Sequence, residues 1–200
     1  MSAGRTPADR APADRAPEDP RAARTRARLR QALLEECAEH PLNEIAVASV
    51  VRRAGVGRAT FYVHYADLEA LAVDACADVV REAVDALHAW RGVADPASPP
   101  PALIAFLTEL LPYAGLYRSL LTPGGGGPLG QVLHQQLRER SRTERALAGA
   151  PQPDLVASMV AGGFTALLAD WLHGLVPATP DVLASRVWRL LISLHRTPDL

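Results

Sequence analysis

The sequence predicts an all-α protein. Apolar residues recur at helical spacing through most of the chain, and no run alternates between apolar and polar residues as a half-buried strand would. Proline, glycine and aspartate stand where the helices between them would begin and end. With 200 residues, 48% hydrophobic and 22% charged, the chain can bury the core of one ordinary domain, or of a small domain fused to a larger one.

The N-terminal fifth divides into a tail and a first helix. Residues 1–20 repeat the unit ADRAP and carry a proline every three to five positions after Pro7, so they bury too little apolar surface to fold and are predicted to be disordered. Helical periodicity begins near Ala22, and the helix should end at His40-Pro41. Its apolar stripe consists of Leu29, Leu33, Leu34 and Cys37.

The rest of the chain continues as helices. Two short ones are predicted over roughly Ile45–Ala54 and Gly57–His64, joined at Gly55, and Asp67 should cap a long helix that runs to about Trp90. The stretch DPASPPP, residues 95–101, separates that helix from the next. Gly124–Gly127, which lies between two prolines, is predicted to be a flexible connector. The later helices are predicted over about Ala102–Leu111, Tyr113–Leu121, Leu129–Leu147, Asp154–His173 and, after Thr179-Pro180, as far as Leu194.

Charge and cysteine content narrow the function classes. The net charge of −1 gives no global basic field, but residues 1–65 hold eleven arginines and eight acidic residues, whereas the remainder holds ten and fourteen. Cys37 and Cys76 form no CxxC pair, which favours reduced thiols in a cytoplasmic protein and leaves a redox switch as the alternative. The first twenty residues have no apolar core of a signal peptide, and no apolar run reaches the roughly 18 residues of a membrane span. A soluble cytoplasmic protein is predicted.

Catalytic and cofactor motifs are lacking. The chain contains no G-x-S-x-G elbow, P-loop, HExxH or dinucleotide-binding glycine pattern, and no nucleophile with a plausible base stands out. Asp170 and His173 have a spacing compatible with a metal, but no Cys or second His lies near them in sequence, so no metal site is predicted. We therefore expect neither an enzyme nor a cofactor.

The most informative segment is IAVASVVRRAGVGRATFYVHYADLEAL, residues 45–71. Its first helix should place Val47, Val50, Val51 and Ala54 on one face, Gly55 should supply a sharp turn, and Val56 should fill the junction. In the next helix Phe61 and Tyr65 stand four residues apart and should face the core together. The residues left to face outward are Arg58, Ala59, Thr60, Tyr62 and His64. This pattern predicts a helix-turn-helix whose second helix fits a DNA major groove.

AGVGRATFYVHY, residues 54–65, followed by DLEAL, resembles the tetracycline-repressor (TetR) family of one-component regulators. The close match runs from about Thr25 to Leu71, and the remaining 130 residues match in architecture. The resemblance implies that Arg58, Ala59 and Thr60 approach base edges, and that Tyr62 and His64 contact phosphates of double-stranded DNA.

Two departures from the family pattern bear on DNA binding. Leu68 stands where the family usually has a phosphate-binding lysine, and Ala46 stands where it has a capping Ser or Thr. Arginines at the start of the first helix are expected to supply replacement phosphate contacts: Arg21, Arg24, Arg26 and Arg28.

The resemblance also implies a division into a helix-turn-helix domain, residues 21–66, and a ligand-binding and dimerisation domain, residues 67–200. The last two helices carry more apolar residues than one core face needs, and Ala161, Gly162 and Gly163 allow close helix approach. These features predict a homodimer through the last two helices; burial of both stripes within a monomer is the alternative. Residues proposed to line a pocket for a small apolar or aromatic effector are Trp90, Phe106, Tyr113, Tyr117, His134 and Phe164, and ordinary packing is the alternative for each.

The sequence thus predicts a homodimeric transcriptional regulator, a repressor released from a palindromic operator by a small molecule. One alternative is a DNA-binding regulator that binds no small molecule, or that activates. The other is a helical interaction module that has lost sequence-specific DNA binding, which Leu68 and the near-neutral net charge favour.

Overall fold

The computed structural model describes residues 19–89 and 95–196, which form nine α-helices and, over those residues, no β-strand. The helices are α1 (Pro20–Glu39), α2 (Val47–Ala54), α3 (Arg58–His64), α4 (Leu68–Ala89), α5 (Pro101–Leu110), α6 (Ala114–Leu120), α7 (Gly127–Leu147), α8 (Pro153–Leu172) and α9 (Pro180–Arg196). Short 3-10 helices cover Leu42–Glu44, Leu111–Tyr113 and Pro123–Gly125. The all-α prediction is confirmed. The predicted tail, up to residue 18, and Trp90 lie outside the described residues.

Helix ends follow the signals in the sequence. The Asp19 carboxylate accepts the Arg21 N–H at 2.9 Å, next to Pro20 at the first position of α1. Asp67 caps α4 as predicted, because its Oδ1 accepts the Ala70 N–H at 2.8 Å. Between α2 and α3, Gly55 takes the left-handed conformation (φ 62°, ψ 40°) that a residue without a Cβ adopts readily.

One continuous apolar core joins the helix-turn-helix segment to the later helices. Leu33 of α1 and Phe61 of α3 are fully buried in it, as are Leu71 of α4 and Leu133 of α7. Helix α4 is the shared element, since it packs against α1 and also against α5 and α7. The predicted boundary between residues 66 and 67 therefore falls where α4 begins, and the core crosses it.

The glycine-rich segment is not the flexible connector that the sequence suggests. Residues 123–125 form a 3-10 turn packed against α8. A Cβ on Gly125, which has φ 84°, would lie 2.8 Å from the backbone nitrogen of Ala166, and a Cβ on Gly130 would collide with the carbonyl oxygen of Gly125. The glycines serve close backbone packing, which composition alone does not distinguish from flexibility.

Two side chains of the α8 end hold this turn. Asp170 Oδ1 accepts the Gly124 N–H at 2.7 Å, and His173 Nε2 lies 2.8 Å from the Leu121 carbonyl oxygen. The pair with metal-compatible spacing is therefore used to anchor the chain between α6 and α7. Among the described residues, no group of three or more potential metal ligands comes together.

Helix α8 is long and apolar enough, by length and composition, to cross a membrane, alone among the helices of the described residues. Core helices of soluble proteins pass the same test, and Val156, Ala161 and Leu168 of α8 are buried. Its packing against α7 includes a polar contact from Arg138 Nε to Ser158 Oγ at 2.9 Å.

Substituting Gly130→Ala should destabilise the protein by about 1–3 kcal/mol, because the added methyl group overpacks the contact with the Gly125 carbonyl. The matched control is Gly115→Ala in α6, where a Cβ would meet nothing within 4 Å, and it should be neutral or stabilise by up to about 1 kcal/mol. Urea unfolding followed by circular dichroism measures both variants. If the two variants were equally stable, close backbone packing at Gly130 would not be required for stability.

Candidate nucleic-acid interface

Helix α3 presents its predicted site residues on the side away from the core. Phe61 is fully buried and Tyr65 is 7% exposed, so these two residues fix the inner face, as predicted. Arg58, Ala59 and Tyr62 are exposed, with Ala59 near the centre of the outward face and Arg58 and Tyr62 along one edge of it. Thr60 and His64 are half-buried and flank this face on the other side.

Val63 belongs to the same surface, although it is not among the site residues that the sequence predicts. It is 79% exposed and lies four residues after Ala59, so the two small apolar side chains stand one above the other at the centre of the face. Its position opposite Phe61 and Tyr65 on a helical wheel is the signal that could have found it. An exposed valine there offers a nonpolar contact of the type that reads a thymine methyl group.

The turn before α3 is braced by α1. Arg28 Nη2 donates to the Gly55 carbonyl oxygen at 3.0 Å, and a Cβ on Gly55 would lie 2.7 Å from the same nitrogen. The sequence predicts a phosphate contact for Arg28. In the structure the exposed Arg28 side chain supports the turn that orients α3, because it supplies a donor to the Gly55 carbonyl. The phosphate contact stays a prediction.

A polar network fixes the end of α3 to α4 and α1. The Tyr65 hydroxyl donates to Asp74 Oδ2 at 2.6 Å, and Arg30 bridges Asp74 and Asp78 at 3.1 and 2.9 Å. Burial, and then Asp74, raise the pKa of Tyr65 above its ordinary value, so the phenol remains a donor at neutral pH. Any rotation of α4 in this region must therefore move Tyr65 or break its hydrogen bond.

A second cluster fixes α2 to α1. Arg53 Nε donates to Glu36 Oε1 at 2.6 Å, and the same guanidinium lies 3.3 Å from Glu39 and 3.7 Å from Glu35. Burial raises the pKa of Glu36, but hydrogen bonding to Arg53 and the neighbouring positive charges outweigh it and leave the pKa lowered. The carboxylate is thus stabilised in its charged form by the helix that it holds.

Both departures from the family pattern have a structural counterpart. Ala46 caps α2 without a side-chain hydrogen bond, and the Ser49 hydroxyl donates to the Ala46 carbonyl at 2.8 Å. Leu68 is half-buried and packs against the core. It contributes to holding the first turn of α4 in place and offers nothing to a phosphate.

The five predicted effector residues that the structure describes lie in different surroundings. Phe106 and Phe164 stack with ring centroids 6.4 Å apart, and Tyr117 is buried. His134 is exposed and lies beside Gly162, which is about 200° around α8 from Phe164. Tyr113 is half-buried at the core edge, and Trp90 is among the residues that are not described.

Two clefts of about 640 Å³ open on the described part of the chain. One lies between α4 and α7 and includes Val84 and Arg140, and the other lies between the end of α1 and α6 and includes Cys37 and Leu116. A smaller groove of about 370 Å³ runs along α8 beside His134. Among the predicted effector residues that the structure describes, His134 alone lines any of these three.

The cysteine environments disfavour a redox switch. Burial raises the pKa of the Cys37 thiol to about 11, with a smaller effect of Glu36 in the same direction. Burial also raises the pKa of Cys76, which lies in the core. The thiolate is the reactive form of cysteine, so neither residue is activated for oxidation at neutral pH.

No family model matches the chain, and no curated protein matches it in sequence. Several solved structures are similar to it, and two of them are described here. The fatty acid degradation regulator FadR from Bacillus halodurans aligns with 83% of this chain and 97% of its own, at 16% identity and a TM-score of 0.48. A gamma-butyrolactone receptor described as ArpA-like aligns with 88% of this chain and 99% of its own, at 20% identity and a TM-score of 0.39. At these TM-scores neither likeness bears on function.

Replacing Glu36 by Gln should lower the free energy of unfolding at pH 7. It should also reduce the loss of stability that occurs as the pH falls. A carboxylate whose folded pKa is lowered stabilises the native state above its unfolded value near 4.5, and the effect is lost as the pH falls through the folded pKa. The difference between wild type and Glu36→Gln in urea midpoint should therefore shrink below about pH 4.5. Glu44→Gln, at an exposed site, is the control. If the difference in urea midpoint between the two proteins stays constant from about pH 7 to about pH 3.5, the Glu36–Arg53 ion pair does not stabilise the native state in this way.

Proposed function

We propose that this chain is a TetR-like DNA-binding transcriptional regulator without enzymatic activity. The observation that carries the proposal is the arrangement of α3, which buries Phe61 and Tyr65 and turns Arg58, Ala59 and Tyr62 to solvent. A short helix fixed on one side and polar at its exposed N-terminal end is suited to reading the edges of bases. A regulator that binds DNA in this way would be located in the cytoplasm.

The size of α3 supports insertion into a major groove. An α-helix with its side chains is about 10–12 Å across, and the major groove of B-DNA is about 12 Å wide, so the exposed face of α3 can enter it. Arg58, at the first position, would reach guanine O6 and N7, and Ala59 and Val63 would face bases or sugars. Tyr62 and His64, nearer the far end, would contact phosphates on the groove walls.

Dimerisation through α8 and α9 supplies the symmetry for a palindromic operator. Leu155 and Met159 lie one turn apart on α8 and are 47% and 51% exposed, and Val182 and Leu190 of α9 are 42% and 62% exposed. Gly163 continues the α8 stripe, and a Cβ there would meet nothing within 4 Å, which leaves room for a neighbouring helix. A second copy that covers this surface would place two α3 helices on successive grooves, about 34–36 Å apart.

The repressor mechanism that fits this architecture operates through α4. Its N-terminal half is tied to α3 and α1 by Asp74 and Asp78, and its other half lines the cleft against α7 with Val80 and Val84. A small apolar or aromatic effector bound among the later helices would tilt α4 and change the spacing of the two α3 helices. The coupling requires an effector that binds the two spacings with different affinities.

Selection from a random duplex pool tests the assignment directly. The wild-type protein should enrich a palindrome, and Arg58→Ala should weaken binding to it by about 1–3 kcal/mol and lose preference at one guanine per half-site. Arg142→Ala removes an equal charge from α7, where it pairs with Glu139, and serves as the control. Binding by the wild type that is indifferent to sequence would contradict the regulator and favour the helical interaction module.

Met159→Glu should convert the dimer to a monomer, because it places a charge in the centre of the exposed α8 stripe. Sedimentation equilibrium measures the change, and affinity for the palindrome should fall with it. Leu147→Glu is the control, since Leu147 is 84% exposed at the end of α7 and lies off the stripe. A Met159→Glu protein that remains dimeric would place the interface elsewhere.

A further inference from the structure

We infer that Tyr62 sets base specificity by positioning Arg58, in addition to any contact that its own hydroxyl makes with DNA. This inference rests on the proposed function. The guanidinium carbon of Arg58 lies 5.8 Å from the centroid of the Tyr62 ring, one helical turn further along α3. The two side chains therefore meet as a cation over an aromatic face.

Arg58 is poorly placed for a structural role. It occupies the first position of α3, where the helix dipole disfavours a positive charge. No carboxylate of the described residues lies within ion-pair distance of it. The N-cap before it is Gly57, which provides no side-chain hydrogen bond and leaves space around the helix start. A cation in this position is best satisfied by an anionic, hydrogen-bonding partner outside the protein.

Tyr62 connects this exposed cation to the core. Its ring meets Phe61 edge to face, with centroids 5.2 Å apart and an interplanar angle of 87°. Phe61 is fully buried, so its ring cannot move without repacking the core. Phe61 thus limits the orientation of the Tyr62 ring, and the Tyr62 ring limits the orientation of the Arg58 guanidinium.

Pre-orientation matters because an arginine side chain has many rotamers. A bidentate contact with guanine O6 and N7 requires one plane and one direction of the guanidinium, and a free side chain loses that freedom on binding. Stacking on Tyr62 restricts the guanidinium before DNA arrives. This restriction strengthens the bidentate contact with guanine more than it strengthens the general attraction to phosphates. It therefore increases discrimination between guanine and other bases.

The experiment compares affinity for the selected palindrome with affinity for the same duplex carrying adenine at the guanine read by Arg58. Tyr62→Phe keeps the ring and removes the hydroxyl, so it should weaken binding to both duplexes and leave their ratio unchanged. Tyr62→Leu removes the ring and should reduce the ratio about two- to fivefold. In the Arg58→Ala background, Tyr62→Leu should change the ratio no further.

His64→Leu is the matched control, because it alters the opposite flank of α3 and should lower affinity for both duplexes equally. Circular dichroism and the thermal midpoint establish that each variant is folded. If Tyr62→Leu retains the wild-type ratio of affinities for the guanine and adenine duplexes, the inference is wrong and the proposed function is unaffected. The same holds if Tyr62→Phe lowers that ratio. A wild-type protein that prefers no sequence overturns both.

Discussion

A seven-residue helix does not persist in water by itself, so everything that α3 can present depends on burial of Phe61. Nucleating a single helical turn is unfavourable, and α3 has fewer residues than an isolated helix needs. Phe61 supplies the apolar area that holds it, and Tyr65 adds a hydrogen bond to Asp74 at the far end. With the inner face fixed at two points one turn apart, the outer face has a defined direction in space.

The arginines of the N-terminal segment divide between support and recognition. Arg28 braces the Gly55 turn, Arg30 bridges two aspartates of α4, and Arg53 is held by Glu36. These three cations stabilise the orientation of α2 and α3 through contacts within the segment. Recognition then depends on a few well-oriented side chains, of which Arg58 is the clearest.

Local signals are sufficient to predict the helices and the face of α3. Asp67, Gly55 and the spacing of Phe61 and Tyr65 act within one or two turns, and the structure places them as the sequence predicts. The role of Arg28 is not predictable in this way, because its partner lies 27 residues away and the sequence does not record which carbonyl lacks a donor. The surroundings of the effector candidates also depend on contacts between distant parts of the chain. Phe164 stacks on Phe106, whereas His134 lies beside Gly162, about 200° around α8 from Phe164.

The packed turn between α6 and α7 changes where this protein can be modified. Four consecutive glycines, residues 124–127, would invite the insertion of a reporter domain or a protease site, since such runs normally mark permissive linkers. Here an insertion would separate the Gly124 N–H from Asp170 and part α7 from α8. The tolerant place is the turn at Gly149, which is exposed and where an added Cβ would meet no other atom within 4 Å. A fused fluorescent domain at that turn would leave both the DNA-facing helix and the packed glycines undisturbed.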